Sequence, residues 1–240
     1  MHDRRVSRII TPGTLIDENF MDPYVNNYVM AIHLNELDAT GGPVAGQESH
    51  HLGLDTPANT EVPLGLAWLD LSTGCFYTQS TTLLSLASIL ARLSPREVVL
   101  DEALESRRGH NIFTVLAEDR HLITYTRQEQ LQQLSDWAPM LESEIPADTA
   151  GTFTEGEIKA GSLLLHYVKD RLRGLSLKLQ PPVRQESRQV MAIDKNSMRS
   201  LEIKQTIRDN VFRGSLLHAI RRTVTKSGAR LLSEWISTHP

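Results

Sequence analysis

The chain has 240 residues, 40% of them hydrophobic, 22% charged and 5% aromatic, with a formal net charge of −4. That is the composition of a globular polypeptide long enough for one large or two modest domains, and its single cysteine, Cys75, excludes an intrachain disulfide framework. No apolar run reaches the roughly eighteen residues a membrane-crossing helix needs, the N-terminal stretch lacks the features of a secretory signal or a transit peptide, and so few rings argue against a stacking platform for single-stranded nucleic acid.

The first local signal is a turn. Val6, Ile9 and Ile10 lead into Thr11-Pro12-Gly13-Thr14, where proline fixes φ and glycine permits a tight reversal. Residues 28–34 (YVMAIHL) predict a strand. Residues 36–62 hold four glycines and two prolines but no aromatic residue. Such a segment buries too little apolar surface to offset chain entropy, and it reads as a mobile surface loop. His50 and His51, with Glu48 and Asp55, have metal-binding chemistry but not metal-ligand spacing, so no metal site is assigned.

Residues 64–71 (LGLAWLDL) predict an apolar strand, and Ser72, Thr73 and Gly74 turn it into a second strand at 75–79, an antiparallel hairpin. A helix follows, capped by Thr81 or Thr82, with Leu83, Leu86, Leu90 and Leu93 on one face and Pro95 as its stop. Residues 97–100 (EVVL) form a short buried strand, and strand–helix–strand argues for an α/β sheet with a parallel pair. Periodicity is lower between 101 and 150, where 121–126 predict a strand and 128–134 a short helix. Residues 155–172 predict a long helix with Ile158, Gly161, Leu165, Val168 and Leu172 on one face. Pro181-Pro182 then breaks the chain and sets a domain boundary.

From residue 190 the character changes. Ile203, Ile207 and Val211, then Leu216, Leu217, Ile220 and Val224, then Leu231, Leu232 and Trp235 recur at helical spacings and predict amphipathic helices. This stretch has nine basic and four acidic residues, a charge of +5, against sixteen basic and twenty-five acidic before it, a charge of −9. The two parts are electrically distinct. Because its apolar stripes are left half-covered, removal of residues 190–240 is expected to leave the preceding domain folded, more soluble and monomeric, with an unchanged thermal midpoint.

Three blocks in this stretch together resemble a known family. Asp194-x-x-Ser-Met-Arg-Ser-Leu201-Glu202-Ile203, Gly214-Ser-Leu-Leu217 and Thr223-Val-Thr225-x-x-Gly228-x-Arg230-x-Leu232-x-x-Trp235 are similar to the start of the helical core of MutS-type mismatch-repair ATPases. Thr11-Pro12-Gly13-Thr14, with Asp17 and Glu18 downstream, resembles the segment that leads into the MutS connector domain. Leu164-Leu165-His166-Tyr167-Val168-Lys169-Asp170 resembles the helix that closes that domain. The chain departs from the family at Arg221, where Asp or Asn is frequent, and at its ending, where Trp235-Ile-Ser-Thr-His-Pro240 is one residue longer.

The resemblance implies an α/β fold, a ribonuclease-H-like connector domain followed by an α-helical segment. It divides the chain into a linker segment (1–27), the connector (28–182, with the loop at 36–62) and the start of the helical core (183–240). It implies an internal stretch of a longer protein, relaying conformational change between mismatched-DNA binding and ATP hydrolysis. ATP and Mg²⁺ would belong to the longer protein, as would mismatched DNA, a MutL-type partner and a second MutS-type subunit. The expected location is intracellular, nuclear or mitochondrial, and the wording of residues 10–18 and 201–210 resembles the fungal mitochondrial branch.

No catalytic, cofactor-binding or metal-binding residue is assigned. There is no Gly-Lys dipeptide for a phosphate-binding loop, no Gly-x-Ser-x-Gly and no Cys-x-x-Cys. Cys75 reads as a small strand residue, His166 and His218 as ordinary helix residues, and Arg221-Arg222 as a solvated helix face. The alternative function is a stand-alone metal-dependent nuclease of ribonuclease-H-like fold, using Asp70 with Asp101 or Glu102 and Asp170. Asp70 reads more simply as an acceptor for the turn that follows it, since fold alone does not specify chemistry.

Overall fold

The computed structural model describes residues 9–14, 24–35, 62–127, 133–173, 176, 178–186 and 193–237. The 36–61 loop with His50 and His51, residues 128–132 of the short helix, and Asp17 and Glu18 lie outside the described residues. Strand β1 (Tyr28–Leu34) pairs antiparallel with β2 (Pro63–Asp70), which pairs antiparallel with β3 (Cys75–Thr82). The hairpin arises as the apolar strand and the glycine turn predict, with Gly74 at φ 72°.

Helix α1 (Leu83–Leu93) follows β3 directly and buries Leu83, Leu86, Ile89 and Leu90. Thr82 is its N-cap, although its hydroxyl caps nothing; Ser94 ends it in a left-handed conformation just before Pro95. The chain then crosses back over β1 and β2. Strand β4 (Glu97–Asp101) lies parallel to β1, on the side away from β2, and β5 (Ile123–Thr126) lies parallel to β4. With β6 (Val183–Arg184) beside β3, the sheet order is β5-β4-β1-β2-β3-β6. The sheet thus continues two residues beyond Pro181-Pro182.

Both faces of this sheet are covered, which explains why its central strands are apolar throughout. On one face Met30, Ile32, Leu66, Trp68, Val98 and Leu100 meet α1 and α2 (Asn111–Glu118). On the other, Val29, Ala31, Ala67, Leu69 and Val99 meet Trp137 and helix α4 (Glu155–Leu172). Small residues let α4 approach closely: a Cβ on Gly65 of β2 would stand 2.0 Å from the Gly156 carbonyl oxygen. A 3-10 segment at Leu134–Met140 carries Trp137, whose Nε1 donates to Ser162 Oγ at 3.0 Å; α3 (Ala147–Ala150) is one turn before α4.

The last segment is less helical than its periodicity predicts. It forms α5 (Lys195–Ser200), α6 (Leu216–Ile220) and α7 (Lys226–Ser237), separated by turns. Glu202 (φ 49°), Asn210 (φ 51°) and Gly214 (φ 101°) are left-handed and interrupt helix propagation. The Ile207 N–H is satisfied by Glu202 Oε1 at 2.6 Å and the Val211 N–H by Thr206 Oγ1 at 3.3 Å, side-chain bonds that compete with a helix. Ile203 is consequently buried while Ile207 and Val211 are exposed, so the three do not share one helical face.

Candidate functional site

Two of the family-like motifs, far apart in sequence, meet at one buried carboxylate. Glu97 stands at the start of β4 and is fully buried. Its Oε2 accepts the Gly13 N–H at 3.0 Å; its Oε1 accepts the Tyr167 hydroxyl and the Thr124 hydroxyl, each at 2.6 Å. The Thr11-to-Thr14 turn is a 3-10 element closed by the Thr11 N–H donating to Thr14 Oγ1 at 3.0 Å. Gly13 must be glycine here, because a Cβ would lie 2.8 Å from Val29 Cβ and 2.9 Å from Glu97 Oε2. The Tyr167 hydroxyl also lies 3.3 Å from Thr11 Oγ1, and its ring carries the Arg171 guanidinium at 4.9 Å. Burial, reinforced by the hydrogen bond to Glu97, raises the pKa of this phenol. Of the three bonds to this buried carboxylate, the Gly13 N–H comes from the linker and the two hydroxyls from the connector, so Glu97 ties the two together.

A second junction forms at the C-terminal end of β2, one register position from Glu97 across β1. Asp70 is 1% exposed, and both of its oxygens are engaged: Oδ2 by the Asn27 N–H at 3.0 Å, Oδ1 by the Ser72 N–H at 2.8 Å and the Ser72 hydroxyl at 2.6 Å. Arg230 of α7 reaches Ser72 Oγ at 3.1 Å. Linker and hairpin turn therefore meet at one carboxylate, and the core segment joins them through Ser72.

These bonds engage both oxygens of Asp70 in positioning the linker and the hairpin turn. The nuclease partners do not converge on it either. Asp101 is level with His33 by the strand register while Asp70 faces Tyr28, about five strand positions or roughly 16 Å away. Asp101 caps the turn after β4 through the Ala103 N–H, Glu102 faces Arg127 at 3.8 Å, and Asp170 faces Arg171 at 3.5 Å. Among the described residues no group of three His, Cys, Asp or Glu side chains is placed to hold a metal ion. The chain has no Gly-Lys dipeptide of a phosphate-binding loop.

The core segment holds the connector through charged groups as well. Lys195 bridges Glu118 and Asp119 at the end of α2, both at 2.9 Å; burial opposes its charge, but the two carboxylates prevail and raise its pKa. Lys204 donates to the Arg92 carbonyl at the end of α1, and Arg92 and Glu234 of α7 are its charged neighbours. Burial, then the Arg92 charge, lowers the Lys204 pKa to about 8. Burial raises that of Glu234 against the pull of Arg92 and Lys204.

The remaining motif residues divide by role. Thr225 caps α7 through the Gly228 N–H at 3.1 Å, and Glu202, Ile203 and Gly214 build the turns before α6. Leu201 and Trp235 are exposed, at 60% and 62%, and Lys169 points outward on α4. Pro12 is exposed at the turn. Glu97, Thr124, Asn27 and Arg92 were not singled out by sequence; of these only Glu97, an acid opening an apolar strand, carried a signal.

A family model described as MutS domain II matches residues 57–181, and one described as MutS domain III matches residues 196–240. The DNA mismatch repair protein MutS of Bradyrhizobium sp. (strain ORS 278) is 31% identical over 236 residues, covering 96% of this chain and 23% of that protein. Those of Anaplasma phagocytophilum (strain HZ) and Synechocystis sp. are 30% and 31% identical, each covering 98% of this chain and 25% of their own length. The chain spans about a quarter of the length of the curated relatives it matches.

Proposed function

Because the chain belongs to the MutS family, we propose that it is a non-catalytic relay: the connector and first core helices of a mismatch-repair ATPase, coupling mismatched-DNA binding to ATP hydrolysis. The observation that carries this reading is the Asp70 junction, where the linker's Asn27, the hairpin's Ser72 and Arg230 of α7 are tied together. A displacement of the linker must there be accommodated by the core segment, because both are bonded to the same turn. The Glu97 latch makes the linker and the sheet move as one body.

In the longer protein, mismatched DNA, ATP with Mg²⁺ and a second MutS-type subunit are the ligands this relay serves, and the connector surface docks a MutL-type partner. No helix among the described residues is long and apolar enough to cross a membrane. The wording of residues 10–18 and 201–210 supports a mitochondrial branch, which import of the tagged full-length protein tests. The relay itself is tested in the full-length protein by Ser72→Ala combined with Arg230→Ala. Mismatch-stimulated ATP turnover should fall while unstimulated turnover persists; undiminished stimulation overturns the proposal.

A further inference from the structure

Arg221 reads from sequence as half of a solvated basic pair, yet its side chain is enclosed by rings. It is the C-cap of α6, its backbone N–H donating to the Leu217 carbonyl at 3.0 Å. Its guanidinium lies 4.5 Å from the centre of the Phe212 ring and 4.7 Å from that of Tyr24. Phe212 belongs to the core segment and Tyr24 to the linker, 188 positions earlier by subtraction. Phe212 is itself positioned, since His218 meets it edge-on at 5.4 Å and accepts the Gly214 N–H at Nδ1. Arg222, the other half of the pair, instead donates to the Ala219 and Arg221 carbonyls.

We propose that Arg221 is a positioning residue that pins the end of the linker to the core segment, a planar cation shared between one ring from each. A guanidinium can stack broadly on both rings, as the compact ammonium of lysine cannot. The clamp lies three residues from Asn27, whose N–H engages Asp70. Linker and core are thus joined twice, once through polar bonds to Asp70 and once through Arg221. The consequence for coupling rests on the relay reading; the clamp itself does not.

Amide hydrogen exchange on the full chain tests it. Losing a cation–π contact at a partly exposed site should speed exchange at residues 24–27 about fivefold in Arg221→Gln, with the amides of β1 and β2 unchanged. Arg221→Lys should recover part of the protection. Tyr24→Leu should loosen residues 212–221 reciprocally, and the double variant should be no worse than the more affected single. If Arg221→Gln does not fold, Tyr24→Leu, which leaves the core sequence intact, decides the matter by the same reciprocal loosening. Unchanged exchange at 24–27, fully additive effects, or equal loosening of the whole sheet overturns the proposal. Failure of the relay reading shows elsewhere, in the ATP turnover of the Ser72 and Arg230 variants, with the exchange pattern intact.

Discussion

Thr11 and Tyr167 are separated by 156 positions, yet their hydroxyls meet at 3.3 Å because Glu97 holds Tyr167 and the Gly13 N–H together. Tyr167→Phe removes a hydrogen bond to a buried carboxylate and should cost about 1.5–3 kcal/mol. The loss should appear as a lower thermal midpoint, with faster amide exchange at Gly13 than at β1. Equal exchange at both would mean that Tyr167 supports the sheet rather than the linker.

Gly13→Ala tests the same latch from the other side. The added methyl meets Val29 Cβ and Glu97 within 3 Å, both fixed by the sheet. Overpacking of that kind should cost about 1–3 kcal/mol, and in denaturant titrations the midpoint should fall with an unchanged slope.

Asp70→Ala strips the acceptor from the Asn27 N–H, the Ser72 N–H and the Ser72 hydroxyl. Leaving the buried Asn27 N–H unpaired, beside the exposed Ser72 donors, should cost about 1–3 kcal/mol, read as a drop in thermal midpoint. Neither the parent chain nor the variant should cleave nucleic acid with Mg²⁺ or hydrolyse ATP. Turnover that Asp70→Asn abolishes would contradict the non-catalytic reading.

How much of this was legible beforehand follows the range of the interactions. Helix α4 has the bounds its periodicity predicts, Glu155–Leu172, because it is locally determined: Thr154 and Glu157 form a capping box. The turn role of Asp70 was legible for the same reason, since Ser72 is two residues away. Helix α2 was missed, as only Ile112 and Leu116 are buried along it and His110 caps it. The Glu97 latch joins residues 11, 13, 97, 124 and 167, which no local pattern associates. In the core segment, periodicity overstated helix because left-handed Glu202 and Asn210 leave no periodic trace.

Lys204 gives a pH dependence whose sign is fixed. Its folded pKa is about 8 against an ordinary 10.5, so between those values the unfolded chain binds more protons and stability rises with pH. The cost of the buried charge is fully present below pH 8 and is relieved as pH climbs towards 10.5. Arg92, Glu234 and the phenol of Tyr28, whose pKa burial raises, surround this cluster. Relative to Lys204→Met, the parent chain should gain about 1–3 kcal/mol between pH 7.5 and 10. A constant difference across that range would show Lys204 to titrate normally.

The last prediction reverses the expectation that residues 190–240 are separable. Met198, Ile203, Leu217 and Ala229 are buried. Lys195 engages Glu118 and Asp119 on α2, Lys204 the end of α1, and Arg230 the hairpin turn at Ser72. Part of that apolar burial lies within the segment itself, and solvent-exposed ion pairs contribute little. Even so, each fully buried aliphatic side chain is worth roughly 1.5–3 kcal/mol, so a net loss of about 2–4 kcal/mol is expected on deletion. For a domain of this size that lowers the thermal midpoint by roughly 5–15 °C. The segment also exposes Leu216, Ile220, Val224, Leu231 and Trp235, a surface that favours association. Deletion should therefore yield a protein that melts earlier yet scatters less light at equal concentration. An unchanged midpoint would restore the separable reading and place the contacts at Glu118, Arg92 and Ser72 among those that hold the segment without supporting the sheet.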